Sequence, residues 1–323
     1  MSKERIHWID RSKCLLIYLV VVQHYGGIPT LADNFICAFH MPAFFMISGY
    51  LHRPLPLKIS LVKNFKRLII PALLFSILCW GFTSCIMLLK HIPFTVDEYV
   101  YKPLLGIIRY DRPNVTPPCG VIWFLQVLFI GKLLLDVVVQ WGNKVIWAAC
   151  LVCAVMTGIW YAMGIDDRCY LFFLQRTCAS FPFIAWGYMC KEQQWFRHLF
   201  AIKFLPYILL VLYMAGVIYN GRVGICSWHF GRNVFWFYSI AWTGCISFFL
   251  IVNKFKTGRG DLLINISNGT IVILCLHRLM IPFLTHFHID AFTGSLVICA
   301  ACYPFILFFN RYMPWFIGKF KQS

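Results

Sequence analysis

The stretch from Asp10 to Arg53 contains two apolar runs, each long enough to cross a membrane, and ionisable side chains stand inside both of them. The first run reads DRSKCLLIYLVVVQH and the second reads FICAFHMPAFFMISGYLHR. An ionisable group at bilayer depth is costly, and such groups usually face a site or a water-filled cavity. The stretch therefore predicts membrane helices that carry chemistry as well as structure.

Lys13 and His24 lie on one face of the first predicted helix. A helix advances about 100° per residue, so the steps from Lys13 to His24 bring the two side chains to within about 20° of each other. At about 1.5 Å per residue, His24 lies about 16 Å further along the axis, roughly half the hydrocarbon thickness. The pattern predicts a basic group near one membrane surface and an imidazole near the membrane centre.

The composition extends this interpretation to the whole chain. Of the 323 residues, 60% are hydrophobic and only 13% are charged, too few to cover the surface of a soluble domain of this size. The formal net charge of +17 comes from basic residues clustered in short loops between apolar segments. The positive-inside rule explains that charge, so we predict no nucleic-acid partner. The fifteen cysteines lie mostly in apolar runs and are expected to pack as small hydrophobic residues.

The hydropathy pattern predicts an all-α polytopic membrane protein, a bundle of about ten transmembrane helices that forms a single domain over residues 1–323. The charged N-terminus has no cleavage site, so the first helix is expected to be retained. Basic residues accumulate on one side, which predicts an even number of spans with both termini cytoplasmic. The predicted spans are 12–28, 34–51, 68–89, 120–140, 144–163, 169–189, 200–219, 232–252, 263–284 and 290–312.

The connection from Lys90 to Cys119 is the longest non-apolar one, and it contains the proline-rich sequence YDRPNVTPP. On the predicted topology this loop is external. It is a candidate cover for the outer mouth of the bundle, and an ordinary linker is an equally good interpretation.

Polar side chains of five predicted helices fall at a similar depth. A single buried histidine is more often structural, but several at one level together with arginine favour a functional cavity. The sequence contains no HxxxH or HExxH pair, so we predict no metal site. The polar residues at this level are His24, His40, Trp123, Gln126, Arg176, His277 and Arg278.

A basic cluster precedes the third predicted span, in the sequence KNFKRLIIPALL. Lys63, Lys66 and Arg67 are three and four residues apart and share one face of an α-helix. Two interpretations remain open at this point. The cluster sets the topology and contacts lipid headgroups, or together with Arg53 it holds the phosphates of a nucleotide-like cofactor.

These segments resemble the acyltransferase 3 family of integral-membrane O-acyltransferases. Lys13 and His24, with ten residues between them, are similar to the family's Arg/Lys and His pair on the first helix, and FHMPAFFMISGYLHR is similar to its FxMPxFFxxSGY block. KNFKRLIIPALLF, IWFLQVLF, FPFIAWGYMCK and ISNGTIVILCLH resemble later family segments in the same order. Without an attached esterase-like domain, the chain resembles most the sugar O-acetylase branch.

The resemblance implies a ten-helix enzyme of the bacterial inner membrane. Such an enzyme would move an acyl group, usually acetyl, from cytoplasmic acyl-CoA to a hydroxyl of a glycan or lipid-linked sugar, without a metal and in contact with membrane lipids. It implies that Arg53, Lys63, Lys66 and Arg67 hold the phosphates of acetyl-CoA, with Lys13 on the same path or in a structural ion pair.

The catalytic roles follow from the same resemblance. His24 is expected to act as general base on the acceptor hydroxyl, with His40 meeting it from the neighbouring helix. Arg176, Trp123 or His277 is expected to donate to the developing oxyanion. A proton-coupled transporter of an anionic solute is the alternative, because buried histidine and arginine would also suit that class.

Overall fold

A computed structural model describes residues 5–108, 119–167, 171–255 and 260–320. Within these ranges the chain is helical, and the only strand-like pairing is an isolated bridge between Gly224 and His229. The YDRPNVTPP part of the expected cover loop lies outside the described residues. The all-α prediction is confirmed for the part of the chain that the structure describes.

The described residues form fourteen α-helices, and three shorter helical turns join or follow them. The α-helices are α1 His7–Tyr25, α2 Thr30–Tyr50, α3 Leu57–Asn64, α4 Ile70–Leu89, α5 Lys102–Ile108, α6 Trp123–Val139, α7 Asn143–Ala162, α8 Phe172–Glu192, α9 Trp195–Leu199, α10 Leu205–Asn220, α11 Val234–Lys254, α12 Asp261–Asn268, α13 Thr270–His286 and α14 Ala291–Tyr312. The shorter turns are π-helical at Phe65–Ile69 and Asp97–Tyr101 and 3₁₀ at Pro314–Ile317.

Every predicted apolar segment coincides with one of these helices or, for 263–284, with a bent pair of helices. In the part of the chain that the structure describes, five helices are long and apolar enough to cross a membrane, or six if the bent pair counts as one span. These helices make the chain a multi-pass membrane protein. Ten spans with both termini cytoplasmic stay a prediction.

Helix α1 lies in the middle of the bundle, in contact with α2, α11, α12, α13 and α14. One face of α1 is buried from Trp8 to Val22 because apolar residues recur at helical spacing. At the N-terminal end, the Trp8 ring packs against Tyr50, Phe196 and Phe249 with ring centroids 5.1–5.4 Å apart. This position places α1 against α2, α11, α14 and the pair α12 and α13.

Helices α2 and α8 approach each other more closely than side chains would allow. A Cβ atom at Gly49 would overlap the carbonyl oxygen of Ile184, and one at Gly187 would overlap the carbonyl oxygen of Met46. The two glycines thus face the backbone of the opposite helix reciprocally. Small residues at such crossings let membrane helices pack through their backbones, since no hydrophobic effect drives helices together inside lipid.

The ninth predicted span is interrupted. Helices α12 and α13 meet at an angle of 76°, and the break falls at Asn268 and Gly269. A Cβ atom at Gly269 would overlap the side chain of Ile306, so the bend brings the backbone against α14. The sequence ISNGT contains the polar and glycine residues that allow such a break, but the hydropathy pattern gave one continuous span.

Helices α3 and α4 form one continuous 33-residue helix through the π-helical turn Phe65–Ile69. This turn contains Lys66 and Arg67, so the regular α-helical spacing from Lys63 expected from the sequence does not hold there. Gly318, with φ of +74°, packs against the same turn, because a Cβ atom there would lie 2.6 Å from the carbonyl oxygen of Arg67. The C-terminal segment is thereby fixed beside the basic cluster.

We expect Gly187→Ala to destabilise the protein by about 1–3 kcal/mol, because the new methyl group would force the backbones of α2 and α8 apart. The measurement is thermal or denaturant unfolding of the purified protein in detergent. Gly158→Ala in α7 is the matched control, since a Cβ atom at that position meets nothing within 4 Å. Equal stability of the two variants would contradict the close-contact explanation.

Candidate functional site

Three spaces that share lining residues follow one another through the bundle, and the first is a basic groove at the end of α3. This basic mouth is an open groove of about 890 Å³. It is lined by Leu55, Lys58, Ile59, Val62, Lys63, Lys66, Arg67, Gly318, Lys319 and Phe320. The charged side chains among these described lining residues are all cations, so the groove attracts anions.

The second space is a cavity of about 340 Å³, here called the cation cavity. It shares Arg67, Gly318 and Lys319 with the basic mouth, so the two spaces adjoin. Of the residues that the structure describes, four cations and no acidic residue line it: Lys13, Arg67, Lys132 and Lys319. Such a cavity is suited to a multiply charged anion.

Two further features add positive potential to the cation cavity. Asn268 and Thr270, at the break that begins the 17-residue helix α13, line its wall, and a helix N-terminus favours anions. The pKa of Lys319 lies below the usual lysine range, because partial desolvation and repulsion from Arg5 and Arg67 disfavour its charged form. A bound anion would relieve that repulsion.

The third space, here called the histidine cavity, has a volume of about 230 Å³. His24, His40 and Trp123 line it, together with Arg222 and Arg278. The remaining lining residues are Val20, Gln23, Cys37, Met41, Gly120, Val121, Phe124, Val223, Gly224, Ile225, Cys226, Ser227 and Leu274. The structure therefore brings together three of the residues predicted to be catalytic.

An apolar partition separates the cation cavity from the histidine cavity. Met41, Phe124 and Leu274 line both spaces, and they come from α2, α6 and α13. On α1, Lys13 and Ile17 face the cation cavity, whereas Val20 and His24 face the histidine cavity. The two cavities are thus consecutive along one axis between the same four helices.

The hydrogen bonds of the cavity histidines define their basic nitrogens. His24 Nδ1 lies 2.9 Å from the carbonyl oxygen of Val20, and His40 Nδ1 lies 2.7 Å from that of Ile36. A carbonyl oxygen only accepts, so Nδ1 carries the proton in each neutral ring and Nε2 keeps the lone pair. His24 is partly exposed to the cavity and His40 is buried, at 5% exposure. Each ring is therefore equipped to accept a proton at Nε2.

His277 packs directly against His24, with ring centroids 5.0 Å apart, but it does not line the histidine cavity. Its Nδ1 donates to the carbonyl oxygen of Ile273 over 2.9 Å, so its Nε2 also keeps a lone pair. That Nε2 atom is buried without a hydrogen-bond partner among the described residues. In this tautomer His277 cannot donate a hydrogen bond from Nε2 to an oxyanion.

Arg176 is fully buried one layer behind the histidine cavity and does not line it. Its guanidinium donates to Asp166 over 2.5 Å and to the carbonyl oxygen of Cys226 over 3.1 Å, and it stacks on Trp228 at 4.8 Å. Cys226 belongs to the cavity wall. Arg176 thus joins α8 to the loop between α10 and α11.

The basic residues predicted to bind the cofactor do not all line the same space. Lys63, Lys66 and Arg67 line the basic mouth, and Lys13 lines the cation cavity while donating to the carbonyl oxygen of Ser267 over 2.5 Å. Arg53 is exposed and lines none of the three spaces. Four of these five residues thus line the basic mouth or the cation cavity.

A buried carboxylate fixes the connection between α2 and α3. Asp136 on α6 accepts hydrogen bonds from His52 Nε2 over 2.8 Å, from the backbone N–H of Leu55 over 3.0 Å, and from the hydroxyl of Ser60. Breaking such a buried network is strongly destabilising because it leaves a charge without compensation. The network positions the start of α3, whose side chains form part of the basic mouth.

Lys132 lines the cation cavity but was not predicted as a site residue from the sequence. It is the one cation within the apolar sequence FLQVLFIGKLLL, and its position at membrane depth would have marked it. Arg222 could not have been found in this way, because it lies in a short loop where basic residues are common. Gln126, by contrast, was expected at the cavity but does not line it.

Within the described ranges, no group of three or more His, Cys, Asp or Glu side chains is placed to hold a metal ion. The described cysteines are all free thiols.

Comparison with known proteins adds one finding. A family model described as an acyltransferase domain, that of the acyltransferase 3 family, matches residues 6–316, nearly the whole chain. Searches of curated proteins and of solved structures found no match. The matched range includes the lining residues of all three spaces except Ile317, Gly318, Lys319 and Phe320.

We expect Arg176→Met to loosen the loop that forms one wall of the histidine cavity, because Cys226 would lose its hydrogen bond from α8. The readout is amide hydrogen exchange in detergent, where peptides from 221–231 should exchange on the order of tenfold faster. Arg197→Met is the control, since this exposed residue has no hydrogen bond or ion pair with any described residue. Unchanged exchange in 221–231 would remove Arg176 as the anchor of the loop.

Proposed function

The chain belongs to the acyltransferase 3 family, and from this premise we propose that it is a membrane O-acyltransferase of the cell envelope. It takes an acetyl group from cytoplasmic acetyl-CoA and transfers it to a hydroxyl of a glycan or a lipid-linked sugar. The bacterial inner membrane is the proposed location.

The observation that carries this proposal is the order of the three spaces. Each of the three spaces shares lining residues with the next, so they lie one after another from a cluster of cations to a pair of histidines. Acetyl-CoA has a matching order of parts, with phosphates at one end and a thioester at the other. Lys13 and His24 are about 16 Å apart along α1, so the residue proposed to meet the phosphates is well separated from the residue proposed to act at the thioester.

The phosphates of acetyl-CoA are proposed to bind at the basic mouth and the cation cavity. Lys63, Lys66 and Arg67 meet them at the entrance, and Lys13 and Lys132 meet them further in. The pantetheine arm is largely neutral and would lie against the apolar partition of Met41, Phe124 and Leu274. This arrangement would place the thioester at the edge of the histidine cavity.

His24 is proposed to act as the general base at Nε2. It takes the proton of the acceptor hydroxyl while the hydroxyl oxygen forms a bond to the thioester carbonyl carbon. The tetrahedral intermediate then breaks its bond to sulfur, and the leaving thiolate takes the proton back from the imidazolium. Donation from Nδ1 to the Val20 carbonyl holds the ring in the tautomer that this step requires.

The other predicted residues receive roles that fit their positions. Trp123, on the cavity wall, is the proposed donor to the oxyanion through its indole N–H. His40 faces the same space and helps to orient the acceptor hydroxyl. His277 supports the His24 ring from behind, and Arg176 positions the loop that closes the cavity. Arg176 and His277 are no longer proposed as oxyanion donors, because neither lines this space.

The match to an acyltransferase family does not favour the alternative function, a proton-coupled transporter. The apolar partition also separates the two cavities. This separation fits a transferase whose thioester substrate and hydroxyl substrate enter from opposite ends.

We expect His24→Ala to lower acetyl transfer by at least about 100-fold, because it removes the base that accepts the hydroxyl proton. Binding of acetyl-CoA should remain within about twofold, since His24 lies away from the cations. The measurements are CoA release with a thiol reagent and equilibrium binding of radiolabelled acetyl-CoA to the purified protein. Retention of CoA release in His24→Ala would refute the assignment of the base.

We expect Lys132→Met and Arg67→Ala each to raise the KM for acetyl-CoA about tenfold, because each removes one cation from the phosphate path. The kcat should change little, since neither residue reaches the histidine cavity. Arg53→Ala is the comparator, because Arg53 lines none of the three spaces. If all three variants changed KM equally, general surface charge rather than the path would bind the cofactor.

A further inference from the structure

Two arginines line the histidine cavity, and the transfer mechanism uses neither of them. Arg222 comes from the loop between α10 and α11, and Arg278 comes from α13, one residue after His277. Both side chains are exposed, and within the described part of the chain neither guanidinium forms a hydrogen bond or an ion pair. Among the described residues, no aspartate or glutamate lines this cavity.

These arginines are poorly placed to serve acetyl-CoA. They lie beyond His24, whereas the phosphates of acetyl-CoA have their own cations at Lys13, Lys132 and the basic mouth. The apolar partition of Met41, Phe124 and Leu274 stands between the two sets. Their positive charge therefore faces the substrate that enters from the other end, which is the acceptor.

The loop that carries Arg222 is held in place by several independent contacts. Gly224 and His229 exchange two backbone hydrogen bonds of 2.7 and 3.0 Å, and the Arg176 guanidinium binds the carbonyl oxygen of Cys226. Buried Asn220 donates to the carbonyl oxygen of Phe230 over 3.2 Å. A cation on such a fixed loop binds with a smaller loss of conformational entropy than one on a mobile segment.

We propose that the acceptor is an anionic glycan or sugar lipid, whose acid group binds Arg222 and Arg278 while its hydroxyl is presented to His24. This inference rests on the proposed transferase function and names its acceptor class. Guanidinium groups bind carboxylate and phosphate oxygens through paired, charge-assisted hydrogen bonds. The anion is either the carboxylate of an acidic sugar or the diphosphate that links a sugar to its lipid carrier.

The first test identifies the charge of the product. Glycans and glycolipids extracted from the cells that make the protein are separated by anion exchange into an anionic and a neutral pool. Each pool is incubated with the purified protein and acetyl-CoA labelled in the acetyl group. We expect label in the anionic pool, and label confined to the neutral pool would overturn the proposal.

Two treatments of the anionic pool distinguish the sources of its charge. Reduction of carboxylates to alcohols should abolish labelling if the acid group belongs to a sugar. Mild acid, which releases sugars from lipid diphosphates, should abolish it if the acid group belongs to the linkage. Labelling that survives both treatments would show that the acid group is not needed and would overturn the proposal.

The second test uses variants of the cavity. Arg222→Gln and Arg278→Gln should each raise the KM for the anionic pool at least tenfold, with less than a twofold change in the KM for acetyl-CoA. Arg222→Lys should recover most of the affinity because it restores the charge. Higher ionic strength should weaken acceptor binding by the unmodified protein more than by Arg222→Gln.

Arg232→Gln is the matched control, since Arg232 lies on the same loop but outside the cavity. Its guanidinium donates to the carbonyl oxygen of Tyr219 over 2.8 Å and stacks on the Tyr219 ring at 4.2 Å. If Arg222→Gln and Arg232→Gln raised the KM for the anionic pool equally, the structure of the loop rather than the charge at the cavity would explain the effect. Failure of the transferase function is distinguishable, because CoA release would then be independent of His24 with every pool.

Discussion

The cost of removing a charge from water organises this bundle. Each cation within the apolar helices must find a partner or face a space that holds water or a ligand. Arg176 is paired with Asp166, and Arg5 at the start of α1 is paired with Asp10 over 2.6 Å. Lys13, Lys132, Arg67, Arg222 and Arg278 instead line the cavities. The pairs support the architecture, and the cavity cations are the ones available to substrates.

Close backbone contacts fix the relative positions of the helices that line these cavities. The reciprocal packing at Gly49 and Gly187 fixes α2 against α8, and so relates the helix that carries His40 to the helix that carries Arg176. The bend at Gly269 follows the end of α12, where the carbonyl oxygen of Ser267 accepts a hydrogen bond from Lys13, and Thr270 at the start of α13 lines the same cavity as Lys13. Because closely packed helices transmit small displacements, a substitution at these crossings would shift the position of His24.

The two cavities divide the proposed reaction between its substrates. Cations at the basic mouth and the cation cavity suit acetyl-CoA, and the arginines beyond His24 suit an anionic acceptor. The partition of Met41, Phe124 and Leu274 lies where the acyl group would change carriers. Such a division lets one imidazole serve a thioester and a hydroxyl that approach from opposite ends.

The sequence by itself determined the helical segments, the membrane class and the family, because hydropathy and the motifs around Lys13, His24 and the SGY block are local features. It also predicted His24, His40 and Trp123 at one depth from the helical rise, and the three residues line one cavity. Only the tertiary structure decided which side chains share a cavity. Arg176 and Arg222 show the reason: rotation about a helix axis and the path of a loop depend on packing between distant segments, so Arg176 turned to Asp166 and Cys226 while Arg222 reached the cavity wall.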